Sequence, residues 1–136
     1  MLILDTNIYL DAAGDEVVER RLQQVIEESG TEVAVSSVVV AELLFGGSEH
    51  ERGALQQHVS GVVTQIVTPN HDDWVLAGNA LRLLGGDAVT TRRSFWNDLL
   101  IATSCARAGA IVLTSKKSDF ARIRRVIPVQ TISLQN

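Results

Sequence analysis

The sequence is poor in the residue types that stabilise secreted domains or bind zinc. Cysteine occurs once, at Cys105, which excludes an internal disulfide and a thiolate metal site built by this chain alone. The three histidines, His50, His58 and His71, show no zinc-ligand spacing, and we expect them to be surface residues. These absences direct the search for chemistry towards side chains that carry oxygen.

Long apolar runs are also absent. No segment approaches the ~18 to 20 apolar residues that cross a membrane, and the first residues lack the basic flank of a signal peptide, so we expect neither. Hydrophobic residues nevertheless make up 46% of the chain, which is enough for a packed core. The 136 residues suit one domain, residues 1–136, and we expect it to be cytoplasmic.

The net charge of −4 is unevenly distributed along the chain. Residues 1–91 contain 4 basic and 14 acidic residues, whereas residues 92–136 contain 8 basic and 2 acidic residues. A cationic segment on an acidic protein is typical of a patch that binds a polyanion, but a solvated helix face would look the same. The charge pattern alone leaves both interpretations open.

Short apolar segments typical of buried strands alternate with segments of helical periodicity. Strands are predicted at Leu2–Asp5, Val33–Val35, Val62–Val67, Ile111–Leu113 and Val129–Ser133. Helices are predicted at Glu16–Glu28, from Ser36 or Ser37 to Phe45, at Ser48–Val59, Asn70–Leu84, Phe95–Ala108 with Ser94 as its cap, and Phe120–Val126. A polar connector, Asp87–Arg93, precedes the fifth of these helices. This alternation predicts an α/β fold with a mainly parallel sheet, whose functional site lies at the carboxyl ends of the strands.

Two acidic residues are isolated in apolar surroundings. Glu42 is the only charged residue from Val33 to Gly47, and Asp98 is the only ionisable acid from Ser94 to Ala106. A carboxylate in such a segment is costly to bury without a partner, so each is a candidate functional residue. The alternatives are an exposed position on an amphipathic helix for Glu42 and placement near a helix N-terminus for Asp98.

Two further acidic residues follow predicted strands. Asp5 ends the first strand, and Asp119 follows the strand Ile111–Leu113 across a short polar loop. Alternatively, Asp5 forms an Asx turn or N-cap, and Asp119 caps the helix that starts at Phe120. Because the ends of parallel strands meet at one edge, we expect the four carboxylates to converge and to raise each other's pKa. A hard divalent ion, Mg²⁺ or Mn²⁺, would relieve that repulsion.

Four segments in this order resemble the PIN-domain nucleases, and most closely the VapC-like toxins of toxin–antitoxin pairs. They are LDTN at 4–7, SSVVVAELLFG at 36–46, NDLLIATSCARAGAIVLT at 97–114 and SDF at 118–120. The resemblance implies a three-layer α/β/α sandwich and an endoribonuclease that hydrolyses RNA phosphodiesters with a metal-activated water. The residues that fall on the family's acidic, metal-binding and catalytic positions are Asp5, Glu42, Asp98 and, conditionally, Asp119. Those on supporting positions are Thr6, Asn7 and Thr114.

One position departs from the family pattern. Two residues after Thr114, where related chains often carry Asn or Asp, this chain has Lys116. The lysine puts a second metal ion in question and adds a candidate phosphate contact. The basic residues nearest the site in sequence are predicted to bind RNA phosphates: Arg92, Arg93, Lys116 and Lys117. Trp96 is a candidate for stacking on an unpaired base, with a core role as the alternative.

The resemblance also implies two protein partners, a second copy of the chain in a homodimer and a cognate antitoxin. The helices Glu16–Glu28 and Val38–Phe45 are candidate contact surfaces, or else part of the core. Other functions remain open: a PIN nuclease in RNA processing without an antitoxin, a PIN-like binding module without activity, and a phosphatase with an aspartyl nucleophile. The phosphatase is disfavoured because such chemistry needs a second Asp two residues after the first, and that residue is Asn7.

Overall fold

The structure is a computed structural model that describes residues 1–61, 63–87 and 91–134. Its centre is a parallel sheet of five strands in the order β3-β2-β1-β4-β5. The strands are β1 (Leu2–Leu4), β2 (Val33–Ser36), β3 (Val63–Val67), β4 (Ile111–Thr114) and β5 (Gln130–Ser133). The mainly parallel sheet predicted from the alternating segments is thereby confirmed.

Seven helices connect the described strands. They are α1 (Thr6–Ala13), α2 (Glu16–Ser29), α3 (Ser37–Gly46), α4 (Glu49–Gly61), α5 (His71–Leu84), α6 (Arg93–Ala108) and α7 (Lys117–Ile123). The chain leaves β1 towards β2 and β3, then crosses over to β4 and β5 on the other side. Because parallel connections are right-handed, this reversal places helices on both faces of the sheet. It also opens a crevice at the carboxyl ends of β1 and β4, where open α/β sheets bind their ligands.

Local sequence explains where several helices begin and end. Asp15 caps α2 by accepting from the N–H of Val17, and the Ser36 hydroxyl caps α3 by accepting from Val38. A left-handed glycine, Gly30 with φ of 61°, ends α2 where a side chain would be strained. These caps explain why the predicted bounds of α2 and α3 lie within one residue of the observed ones.

Two predicted helices are displaced in the structure. Phe95 and Trp96 donate their N–H groups to the carbonyl of Arg92, so α6 begins before Ser94, and Ser94 is not its cap. The last helix starts at Lys117, three residues earlier than predicted, because the N–H of Phe120 donates to the carbonyl of Lys116. After Ile123 the backbone tightens into turns. The predicted start of β3 at residue 62 and part of the connector Asp87–Arg93 lie outside the described residues.

The core surrounds β1 and α6. All three residues of β1 are buried, and α6 is buried at Phe95 and at every position from Asp98 to Cys105. Burial of this length along one helix is why the charge on Asp98 requires an explanation. Within the three described ranges, no helix is long and apolar enough to span a membrane.

Candidate active site

Asp5 lies directly after β1, at the crevice, and its side chain is fully buried. Its Oδ1 accepts a hydrogen bond from the N–H of Thr6 at 2.6 Å, which makes Asp5 the N-cap of α1. Its Oδ2 accepts a hydrogen bond from the hydroxyl of Thr114, at the end of β4, at 2.9 Å. Asp5 therefore caps a helix and also joins the two strands that form the crevice.

Asp98 lies opposite, on the inner side of α6, and is also fully buried. Its partner is Lys116, whose ammonium Nζ donates to Oδ1 at 3.0 Å and to Oδ2 at 3.3 Å. The same Nζ lies 3.9 Å from Oδ1 of Asp5. A lysine ammonium thus faces both buried aspartates and offsets part of their negative charge.

Glu42 approaches this cluster from α3. Its side chain is half-buried, and its Oε1 accepts a hydrogen bond from the hydroxyl of Thr6 at 2.7 Å. Thr6 therefore holds Asp5 through its backbone and Glu42 through its side chain. The family resemblance predicts a supporting role for Thr6, and these two hydrogen bonds show which residues it contacts.

Asp119, in the first turn of α7, lies at the outer side of the cluster. Its Oδ2 is 3.7 Å from a guanidinium nitrogen of Arg92, and its side chain is 23% exposed. Both residues line a cavity of about 440 Å³, together with Thr6, Asn7, Glu42, Ser94 and Lys116. The structure therefore gathers around one opening most of the residues that the sequence assigned to the site.

Burial and crowding disturb the protonation of the aspartates. Burial and the neighbouring charge of Asp5 raise the pKa of Asp98 to about 8, although Lys116 opposes the rise. Burial also raises the pKa of Asp5, against the charge of Lys116 and the hydrogen bonds from Thr114 and Thr6. Burial lowers the pKa of Lys116, but the facing aspartates outweigh it and leave that pKa raised. The expected repulsion between carboxylates is present, and a cation is needed to relieve it.

The PIN domain family matches residues 2–126 of this chain. The chain belongs to the PIN domain family. Membership places it among nucleases that generally use divalent metal ions. No curated protein sequence matches the chain.

Solved structures share the PIN fold. The chain is 21% identical to a chain of VapBC2 from Rickettsia felis, solved with a DNA fragment from their promoter, with a TM-score of 0.68 and 97% of each chain covered. DNA-bound VapBC from Salmonella typhimurium is 15% identical, with a TM-score of 0.68 over 98% of this chain and 97% of that chain. VapBC-1 from nontypeable Haemophilus influenzae is 21% identical, with a TM-score of 0.64 over 99% and 98%. At these identities the likeness shows the fold, and the predicted PIN-like sandwich is confirmed.

The donor set of this PIN domain suits a hard divalent ion, because the buried ligands at the crevice are carboxylate oxygens. The ammonium of Lys116 acts as a stand-in and marks where a cation is stabilised. Within the part of the chain that the structure describes, however, no three acidic, histidine or cysteine side chains lie close enough together to hold a metal. The chemistry of these oxygen donors therefore suits a divalent ion, which Asp5 and Asp98 would hold, whereas in this structure Glu42 does not lie close enough to both to complete a site.

The other predicted RNA contacts lie at the edge of this site. Arg93 is exposed, and its guanidinium carbon lies 5.4 Å above the ring of Phe45. Lys117 is exposed at the start of α7. Trp96 is half-buried, packs against the core and lies 5.9 Å from Trp74 between ring centroids, which supports the core interpretation.

The expectation that all three histidines are surface residues is wrong for His58. Its ring is half-buried and meets Tyr9 edge-on, with 5.2 Å between centroids. Sequence reasoning missed this contact because it depends on how α4 packs on α1. Both rings line a second cavity of about 950 Å³ between α1, α2 and α4.

Proposed function

We propose that this PIN domain is a Mg²⁺- or Mn²⁺-dependent endoribonuclease and the toxin of a toxin–antitoxin pair. The observation that carries the proposal is the pair of buried aspartates, Asp5 and Asp98, which face one cation at the crevice between β1 and β4. Two carboxylates buried at this edge are unfavourable for stability alone, because burial raises the pKa of both. Strongly perturbed acids in a cleft are typical of functional sites.

Each side chain has a distinct role in the proposal. Asp5 and Asp98 bind the ion, Glu42 is the third ligand, and Asp119 is a conditional fourth. When bound, the divalent ion supplies an activated water and neutralises charge that develops on the phosphodiester. Thr6 and Thr114 orient the ligands by the hydrogen bonds that they donate to Glu42 and Asp5.

The RNA would approach through the cavity of about 440 Å³ that Asn7, Arg92 and Lys116 line. Arg92, Arg93 and Lys117 would bind backbone phosphates along its rim, which gives affinity that falls with salt and carries little sequence information. Binding of a phosphate by Arg92 would also release Asp119 from the ion pair in which it is held at 3.7 Å. RNA binding would thereby free the conditional ligand.

The test is cleavage of a structured RNA by wild type, Asp5→Asn and Glu42→Gln in Mg²⁺, in Mn²⁺ and in EDTA. We expect cleavage by wild type in either ion, none in EDTA, and a large loss in both variants. Circular dichroism and the Mn²⁺ affinity of each protein serve as controls for folding and for ion loading. Full cleavage in EDTA, or wild-type rates in both variants, would show that the metal mechanism is wrong.

Two surfaces support the predicted protein partners. The groove between α1, α2 and α4, which Tyr9 and Leu22 line, would hold an antitoxin segment, and VapBC complexes share this fold. On α5 the exposed side chains of Leu76 and Leu83 lie seven residues apart, on one face of the helix, and form an apolar surface of the kind that marks an interface, which we assign to a homodimer. Co-purification with the product of the adjacent gene tests the antitoxin. Molar mass in solution, with Leu76→Lys as the disrupting variant, tests the dimer.

One observation favours a second candidate, a PIN-fold binding module without catalysis. Lys116 already offsets part of the negative charge of the two aspartates, so this site contains a cation without a metal ion. This candidate predicts no cleavage and no Mn²⁺ binding by the wild-type protein. The experiment above therefore separates the two.

A further inference from the structure

Lys116 occupies the position where the carboxylates of this site stabilise positive charge. Its Nζ lies 3.0 Å and 3.3 Å from the two oxygens of Asp98, and 3.9 Å from Oδ1 of Asp5. The lysine side chain is 15% exposed, although lysine is rarely buried unless it is paired. Both oxygens of Asp98 are therefore engaged by the ammonium group.

The backbone around Lys116 fixes this arrangement. The N–H of Lys116 donates to the hydroxyl of Thr114 at 2.9 Å, and that hydroxyl in turn donates to Oδ2 of Asp5. The loop that carries the lysine is thus tied to one of the aspartates that its ammonium faces. Such a chain of hydrogen bonds presents the ammonium to the cluster in the folded protein.

A divalent ion ligated by Asp98 would compete with the ammonium, which already donates to both carboxylate oxygens. Two positive charges a few ångströms apart also repel each other, so the lysine opposes ion binding by occupancy and by charge. The cavity of about 440 Å³ that Lys116 lines lies beside the site and has room for a displaced side chain. Displacement would turn the ammonium towards the opening through which RNA is proposed to enter.

We propose that Lys116 is a built-in competitor for the divalent-ion site, whose ammonium group occupies the cation position in the ion-free protein and leaves when the ion binds. The inference rests on the proposed metal dependence. It adds that the chain limits its own binding of the ion. Ion binding requires displacement of Lys116, and the affinity for the ion is therefore lower than the carboxylates would give without the lysine.

The first experiment measures Mn²⁺ affinity by calorimetry on the full chain. We expect Lys116→Gln to bind Mn²⁺ at least about tenfold more tightly than wild type, because the competing charge is gone. Lys117→Gln is the matched control, since it removes the same charge from the adjacent, exposed residue, and we expect wild-type affinity. Lys116→Arg retains the charge, and its affinity should stay within about threefold of wild type.

The second experiment uses wild-type protein and does not depend on a variant that folds. Lys116 and Lys117 are the only lysines in the sequence, so amine acetylation followed by mass spectrometry compares them within one molecule. Without divalent ions, Lys116 should react much more slowly than Lys117. At saturating Mn²⁺, the reactivity of Lys116 should rise at least about threefold while that of Lys117 stays constant.

Any other outcome of these two experiments overturns the inference, and the combination of results shows whether the proposed function fails as well. Equal Mn²⁺ affinity of wild type and Lys116→Gln, or weaker binding by the variant, refutes competition and leaves the proposed nuclease intact. Unchanged acetylation of Lys116 at saturating Mn²⁺ refutes displacement in the same way. Absence of Mn²⁺ binding by all four proteins refutes the inference and the proposed function together.

Discussion

Replacing Asp98 by asparagine separates function from stability at this site. Asp98→Asn keeps the size and shape of a fully buried side chain on α6 and removes its charge. If Asp98 is a metal ligand, cleavage of RNA and binding of Mn²⁺ should both fall sharply. Stability should change little, because the charge that is removed is both attracted and opposed by its surroundings.

The geometry sets the size of both effects. At 3.0 Å, and with an effective dielectric constant near 20, the attraction between Lys116 and the ionised form of Asp98 is about 5 kcal/mol. The cost of burying the Asp98 carboxylate is several kcal/mol, and repulsion by Asp5 adds to that cost. Because these opposing energies are similar, the free energy of unfolding should change by less than about 2 kcal/mol. Loss of a residue that only orients a ligand typically costs 10- to 100-fold, so loss of the ligand itself should lower cleavage by about 100-fold or more.

The assay compares initial rates of RNA cleavage in Mg²⁺ with urea denaturation in EDTA. Asp72→Asn is the matched control, because it makes the same change in the exposed first turn of α5 and should leave the rate within about twofold of wild type. Wild-type cleavage by Asp98→Asn would refute the assignment of the site. A loss of more than about 4 kcal/mol in stability would refute the electrostatic balance instead.

Three further predictions concern residues outside the proposed metal ligands. Burial raises the pKa of the Cys105 thiol to about 12. A thiol reagent at pH 8 should therefore not label the native protein but should label it fully in urea. Labelling of the native state would contradict this prediction. Burial lowers the pKa of His58 below its ordinary value of 6.5, so the unfolded chain binds a proton at this residue more readily than the folded chain does. The free energy of unfolding should therefore fall as the pH drops below about 6.5. The test substitution is His58→Phe, which keeps a ring against Tyr9. The difference between the urea midpoints at pH 7.5 and pH 5.5 should be smaller for this variant than for wild type. An equal difference would exclude His58 as the cause. Arg107→Met should lower the free energy of unfolding by about 1 to 3 kcal/mol, because the carboxylate of Asp73 is 1% exposed and would lose a hydrogen bond of 3.0 Å. An unchanged free energy of unfolding would mean that solvent screens the half-exposed arginine.

The fold was predictable because its signals are local. Buried strands read as short apolar runs, and helices begin at side chains that accept from the backbone, as at Asp15 and Ser36. The two isolated acids were also visible in the sequence, since a lone charge in an apolar segment requires a partner. Asp98 is the clearer case, because it lies within the most buried helix of the structure.

The sequence did not predict the start of α7 or two contacts between distant elements. The start of α7 is fixed by a backbone bond to Lys116, not by the capping potential of Asp119. The burial of His58 follows from the packing of α4 on α1. Likewise, Lys116 was predicted to bind phosphate because a basic residue beside an acidic site suggests RNA, whereas its ammonium bonds to Asp98, 18 positions away.

The Lys116–Asp98 contact links the stability of the fold to the proposed binding of the ion. A cation stabilises a crevice with ionised buried aspartates, and a chain that relied on a metal ion for this would lose stability whenever the ion was absent. A lysine from the loop after β4 meets that need with the chain's own charge, at a position fixed by the Thr114 hydroxyl. The same charge then stands where the divalent ion would bind. In this chain, stability without the ion and affinity for the ion are therefore opposed through a single side chain, so a substitution that removes the charge of Lys116 should shift the two in opposite directions.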